Sequence, residues 1–204
     1  MSMIKVLGLD LDNTVFDAEP IYKMGFAYFH KYKYFRPSVW YIYDCYPKEV
    51  ADKIIYYFKN KPGYDTKPFN PKYSWLLWEW QQKYDLKIIT SRSTDYGTCY
   101  FFGDIVRKKV TFARAWTYDQ LEKYHMRVPM DNIIDLGTHT KLEAIKEQKV
   151  DLMIDDSPIV IEECLDNGID CAMVSNAKTP YNHYLRDKVT WGKNLFQIAK
   201  AKQL

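Results

Sequence analysis

The stretch Gly8-Leu-Asp-Leu-Asp-Asn-Thr-Val-Phe-Asp17 decides how the rest of the chain is read. It closes an apolar run, Ile4–Leu9, that reads as a buried strand. The strand then delivers two carboxylates, Asp10 and Asp12, two positions apart, and the period of a strand points such side chains to one face. Like charges that close together in a half-buried place repel and are poorly hydrated. Compensation has to come from elsewhere in the chain.

The chain has 204 residues, of which 47% are hydrophobic and 27% charged, a composition that excludes a disordered protein and suits one large domain or a domain with a small insertion. Its formal net charge of +3, from 29 basic and 26 acidic residues, is too balanced to announce a nucleic-acid or other polyanion partner. The basic clusters Lys31–Arg36 and Arg107–Lys109 read as solvated faces. Cys45, Cys99, Cys164 and Cys171 form no C-x-x-C pair, and His30, His125, His139 and His183 show no zinc spacing. Reduced thiols, a first apolar run broken by Asp10 and no membrane-length apolar stretch together predict a cytoplasmic protein. Aromatic residues reach 17% and crowd between residues 26 and 80.

Four further apolar segments read as buried strands: Leu86–Ile89, Asn132–Leu136, Leu152–Ile154 and Cys171–Val174. Helical patterns fall between most of them, at Tyr73–Tyr84 with Pro71 as the first helical residue, at Thr117–Tyr124, from Thr140 through Glu147, and at Pro158–Leu165 before Asn167-Gly168. This alternation predicts an α/β fold with a mainly parallel sheet. The gap after the first strand is too long for one crossover. Helical patterns at Ile21–Tyr34 and Lys48–Asn60, then a return loop Lys61–Pro68, make residues 17–68 a small helical insertion over the sheet's carboxyl edge, with 1–16 and 69–204 as the core. Ser93 to Phe112 carries turn signals and reads as a hairpin or a lid.

Ligands of open α/β sheets sit beyond the carboxyl ends of the strands. Strand one ends in Asp10-Leu-Asp-Asn-Thr14, strand two in Thr90-Ser91-Arg92, and Leu152–Ile154 in Asp155-Asp156-Ser157, while Lys141 opens the helix before that last strand. Clustered carboxylates without His or Cys favour a hard cation, most simply Mg²⁺, which would neutralise the repulsion and clamp a phosphate oxygen. Thr90 and Ser91 offer hydrogen-bond donors and Lys141 an ammonium for a phosphoryl group. One aspartate could attack phosphorus and another shuttle the proton. An EF-hand is excluded, since its sixth position would be Val15 instead of Gly and its twelfth Ile21 instead of Glu.

The order Asp10-Leu-Asp-Asn-Thr14, Thr90, Lys141 and Asp155-Asp156 resembles the four motifs of the haloacid dehalogenase (HAD) superfamily of phosphohydrolases, over nearly the whole chain. Asp151–Pro158, Thr179-Pro-Tyr-Asn182 and Trp191 are most similar to its 5′(3′)-deoxyribonucleotidase-like family. The resemblance implies a Rossmannoid three-layer fold with a helical cap inserted after motif one. It implies Asp10 as the nucleophile that forms an aspartyl-phosphate, and Asp12 as the general acid/base with its backbone carbonyl on Mg²⁺. Asp155 would be a direct Mg²⁺ ligand, Asp156 a ligand through water, and Thr90 and Lys141 would hold the phosphoryl group. The expected substrate is a small phosphorylated molecule, a nucleoside monophosphate, with cap aromatics such as Phe26, Tyr28, Tyr32, Trp40 and Tyr43 as a stacking wall. The competing readings are a phosphatase of nucleic-acid 3′ ends, disfavoured by charge and cap, and a silent HAD domain, disfavoured by the intact motifs. Oligomeric state stays open between monomer and homodimer.

Overall fold

The first strand, β1 (Val6–Leu9), is the centre of the molecule. Leu7 and Leu9 are fully buried on one face, while Gly8 faces Met153 and Val150 on the other. Each buried leucine contributes about 1.5–3 kcal/mol of transfer free energy. The strand is pinned at its start by Asp151, whose carboxylate accepts from the Lys5 and Val6 amides. The structure is a computed structural model and describes residues 4–20, 23, 46–59, 66–92, 98–102, 107–134, 136 and 139–204.

Around β1 lies a six-stranded sheet whose pairings are all parallel: β2 (Asp85–Ile89), β5 (Ile133–Ile134), β6 (Leu152–Asp155), β7 (Asp170–Val174) and β8 (Thr190–Gly192), in the order β5-β2-β1-β6-β7-β8. The remaining two strands, β3 (Thr98–Phe102) and β4 (Arg107–Thr111), form a separate antiparallel hairpin. The chain builds outward from β1 through β2 to β5, then crosses back to β6 on the other side of β1. The direction of winding therefore reverses between β1 and β6, where such sheets open a crevice for ligands.

Helices cover both faces. One apolar cluster joins Leu7, Leu9, Leu86, Ile88 and Ile154 to α2 (Tyr73–Lys83), α3 (Phe112–Lys123) and α6 (Leu195–Lys202). A second joins Ile89, Met153, Cys171 and Met173 to α4 (Lys141–Glu147) and α5 (Pro158–Asp166). This is the three-layer α/β arrangement expected from the alternation of apolar runs and helical patterns. Helix α1 (Lys48–Lys59) matches the pattern read at Lys48–Asn60.

Several boundaries differ from the sequence reading. Pro71 lies in a turn ahead of α2 instead of on its first residue. Helix α3 starts at Phe112, five residues before Thr117, because Thr111 caps it by accepting from the Arg114 amide. Its sequence has little apolar periodicity, so periodicity missed its first turn. The Ser93–Phe112 stretch contains the β3–β4 hairpin. The edge strand β8 and helix α6 had no strong apolar run to betray them. The pattern at Ile21–Tyr34, the aromatics Phe26, Tyr28, Tyr32, Trp40 and Tyr43, and most of the Lys61–Pro68 loop lie outside the described residues. The two ends of residues 17–68 are adjacent: the Asp17 amide donates to the Lys67 carbonyl and the Phe69 amide to the Val15 carbonyl, each at 2.9 Å. No described helix is long and apolar enough to cross a membrane.

Gly192 shows how tightly the sheet edge is packed. A Cβ there would stand 2.9 Å from Gln197 Cβ and 3.0 Å from the Ile198 backbone nitrogen, atoms of α6 that cannot swing aside. Gly192→Ala is expected to destabilise the protein by about 1–3 kcal/mol, the usual cost of overpacking. A urea melt with an unchanged slope and a lower midpoint is the result to look for.

Candidate active site

Asp10 follows β1 directly, and its amide continues the pairing to β6 by donating to the Ile154 carbonyl at 2.9 Å. Asp155 is the last residue of β6. Adjacent parallel strands therefore present these two carboxylates side by side at their carboxyl ends. Lys141 opens α4 in the crossover into β6. Its place is set by a capping box: Thr140 accepts from the Glu143 amide, and the Glu143 carboxylate accepts from the Thr140 amide. The Lys141 ammonium stands 2.5 Å from Asp10 Oδ1 and 2.7 Å from Asp155 Oδ2.

Asp156 completes the cluster. One oxygen from each of Asp10, Asp155 and Asp156 falls within 4.8 Å of the others, and all three residues are buried. Asp155 Oδ1 accepts from the Ser157 amide at 2.8 Å. Asp156 Oδ1 accepts from the Thr14 hydroxyl at 3.3 Å, Oδ2 accepts from the Tyr181 hydroxyl, and its backbone carbonyl accepts from Asn182 Nδ2 at 2.6 Å. Asn13 Nδ2 in turn donates to the Tyr181 oxygen at 3.3 Å. Sequence reading found Asp156 but assigned no part to Tyr181, Asn182 or Thr14. A buried carboxylate needs donors for both oxygens; Thr14 supplies one and Tyr181 of Thr179-Pro-Tyr-Asn182 the other, while Asn182 serves the backbone carbonyl.

The turn after β1 is tight. The Leu11 carbonyl accepts from the amides of Thr14, Val15 and Phe16, which forces Asn13 into the left-handed region at φ 66°. Asparagine is among the few residues other than glycine that tolerate it. The turn carries the Asp12 carboxylate away from the three-aspartate cluster. Arg92 takes it in a fork instead, with Nε 3.1 Å from Oδ2 and Nη2 2.9 Å from Oδ1. Thr90 is buried just after β2, and its hydroxyl finds no hydrogen-bond partner among the described residues. Ser91 beside it is exposed.

Electrostatics explain why the cluster needs something more. Burial, reinforced by Asp155 and Asp12, pushes the Asp10 carboxyl up to about 7 against the pull of Lys141. Burial and the charges of Asp10 and Asp155 likewise hold Asp156 well above the ordinary carboxylate range. Burial works to lower the Lys141 pKa, but Asp10 and Asp155 outweigh it and the ammonium is held charged. Among the described residues, Lys141 pairs with two of the three buried carboxylates, Asp10 and Asp155, and Asp156 is met by hydroxyls. An all-oxygen donor set with surplus negative charge fits a hard divalent cation such as Mg²⁺. By contrast, burial pushes the Cys164 thiol up to about 12 and the Cys171 thiol up to about 11, which leaves both unreactive.

Solved structures share this arrangement of sheet and helices. A haloacid dehalogenase-like hydrolase from Streptococcus pneumoniae superposes with a TM-score of 0.64 at 19% identity, covering 98% of this chain and 99% of that one. The fold is HAD-like. Another HAD-fold structure, YfnB from Bacillus subtilis bound to magnesium, gives a TM-score of 0.55 at 11% identity over 100% of both chains. CbbY from Rhodobacter sphaeroides, in complex with phosphate, gives 0.61 at 14% identity over 94% of this chain and 95% of its own. No protein-family model and no curated protein sequence matches the chain.

The raised Asp10 pKa has a measurable consequence in metal-free protein. An acid whose folded pKa exceeds its unfolded value binds more protons when folded, so stability falls as pH rises from about 4, the ordinary aspartate value, to about 7, and levels off above. Asp10→Asn removes that burden. In EDTA at pH 8 the variant should melt at a higher temperature than the parent, with the gap closing towards pH 4. A gap that is absent, or that widens in acid, contradicts the charge crowding described here.

Proposed function

We propose that this protein is a Mg²⁺-dependent phosphomonoesterase that works through an aspartyl-phosphate on Asp10. The observation that carries the reading is Asp10 itself: a buried carboxylate at the end of the central strand, beside Asp155 and Asp156 and bonded to Lys141. Asp10, Asp155 and Asp156 are the residues that would hold the cation, with the Asp12 backbone carbonyl assigned to it by resemblance. The cation would supply charge neutralisation and polarise the phosphoryl group.

In the first step an Asp10 oxygen attacks phosphorus. A phosphorus–oxygen bond to Asp10 forms as the bond to the ester oxygen breaks, and Asp12 gives that oxygen its proton. In the second step water attacks phosphorus, its proton passes to Asp12, and the bond to Asp10 breaks. Inorganic phosphate leaves and both aspartates return to their starting states. Thr90 donates its unpartnered hydroxyl, and Lys141 its ammonium, to the non-bridging oxygens. Ser91, being exposed, would join only when substrate covers it.

The substrate is proposed to be a small phosphorylated molecule, specifically a nucleoside monophosphate, bound in the cytoplasm. Support comes from the resemblance in Asp151–Pro158 and Thr179–Asn182 and from the aromatic richness of the 17–68 insertion, assigned here as a cap domain apart from the core of 1–16 and 69–204. Purified protein should hydrolyse p-nitrophenyl phosphate with Mg²⁺ and stop in EDTA. Asp10→Asn should lower turnover by about a thousandfold or more, as loss of a nucleophile does. A panel of nucleotides, sugar phosphates and 3′-phosphorylated oligonucleotides then ranks substrates; preference for the oligonucleotide would replace the nucleotidase reading, and no Mg²⁺-dependent hydrolysis at all would refute the phosphatase reading.

A further inference from the structure

Arg92 had no role in the sequence reading, yet it is among the most constrained side chains near the site. Its side chain is 5% exposed. Nε and Nη2 hold the two oxygens of Asp12, and Nη1 lies 3.3 Å from the Thr117 hydroxyl. Thr117 is itself fixed, donating to the Ala113 carbonyl at 2.8 Å within α3. The guanidinium therefore bridges the end of β2 and the motif-one turn, and is braced from a helix on the flank of the sheet.

We propose that Arg92 is a positioning residue for Asp12, setting the plane of its carboxylate, and that Thr117 sets Arg92. This rests on the proton-transfer role assigned to Asp12 above. The terminal torsion of an aspartate is soft and broad. Asp12 sits on a turn with a partly open side chain, where such a group would sample many orientations. A planar fork fixes both oxygens at once, which a lysine cannot do. It also suits a group that alternates between two states. When one oxygen turns towards the leaving group, the other keeps a bond to the guanidinium, so the carboxylate stays tethered through the step. Asp12 and Thr117 engage the guanidinium from two sides.

The test compares Arg92→Gln, Arg92→Lys and Thr117→Val with the parent, in Mg²⁺, on p-nitrophenyl phosphate and on phenyl phosphate, whose poorer leaving group depends more on a delivered proton. For Arg92→Gln, kcat/KM should fall by about a hundredfold on phenyl phosphate, the scale of a misplaced catalytic group, and by only a few-fold on p-nitrophenyl phosphate. Inhibition by inorganic phosphate should hardly change. Lysine should restore little, guanidinium ion in solution should rescue the glutamine variant in part, and Thr117→Val should show the same pattern more weakly. Equal losses on both esters, or phosphate inhibition weakened more than tenfold, would overturn the proposal, the latter by showing that Arg92 binds the phosphoryl group. If Arg92→Gln fails to fold in a thermal melt, the leaving-group pattern of Thr117→Val decides. A parent protein inactive on every phosphate ester refutes the phosphatase reading and this inference with it, whereas an active parent with uniform losses refutes the inference alone.

Discussion

The ammonium of Lys141, lodged between Asp10 and Asp155, is the contact on which the arrangement of the site depends. It joins the start of a helix to the ends of two neighbouring strands, and each of those three elements is placed by something else. The capping box sets where α4 begins. The parallel registers Leu9 to Ile88 and Leu9 to Ile154 set where β1 ends relative to its neighbours. The Asp151 carboxylate holds β1 from below. A buried charge that loses its partner is strongly destabilising, so these elements cannot slide independently.

That ion pair is not sufficient for the cluster around it. Two hydroxyls and an amide are spent on Asp156, from Thr14, Tyr181 and Asn182, and a backbone amide on Asp155. Asp10 still sits far above the ordinary carboxylate range because burial dominates its environment. The site is thus built under electrostatic tension that a divalent cation would relieve by cancelling negative charge. Chemistry and fold stability are coupled through the same few atoms.

The clustered groups lie at the ends of the central strands and at the start of one helix. Asp10, Lys141, Asp155 and Asp156 belong to the α/β core. Around the ends of residues 17–68 several described contacts meet: the Asp17 amide donates to the Lys67 carbonyl, the Phe69 amide to the Val15 carbonyl, and Gln120 Nε2 to the Thr66 carbonyl and hydroxyl. Lys178 reaches across from the loop after β7 to pair with Asp17 and, at 3.6 Å, with Glu19, at the point where the segment departs.

By itself the sequence determined the parallel α/β sheet and the identity of the clustered groups, because buried strands are apolar runs and a carboxylate at the end of one is conspicuous. Asp10, Lys141 and Asp155 were legible for that reason, and so was the helix opening at Lys141, whose cap is local. The short edge strand β8 and the first turn of α3 were not, since neither carries a strong apolar period. Only the tertiary structure decided that the Asp12 carboxylate leaves the aspartate cluster to pair with Arg92, that Tyr181 and Asn182 serve Asp156, and that Ser91 faces outward while Thr90 is buried. Those outcomes depend on a left-handed turn at Asn13 and on partners up to 168 residues apart in the chain. No local pattern encodes them, because the free energy that selects them arises only when the strands are side by side and water has been excluded.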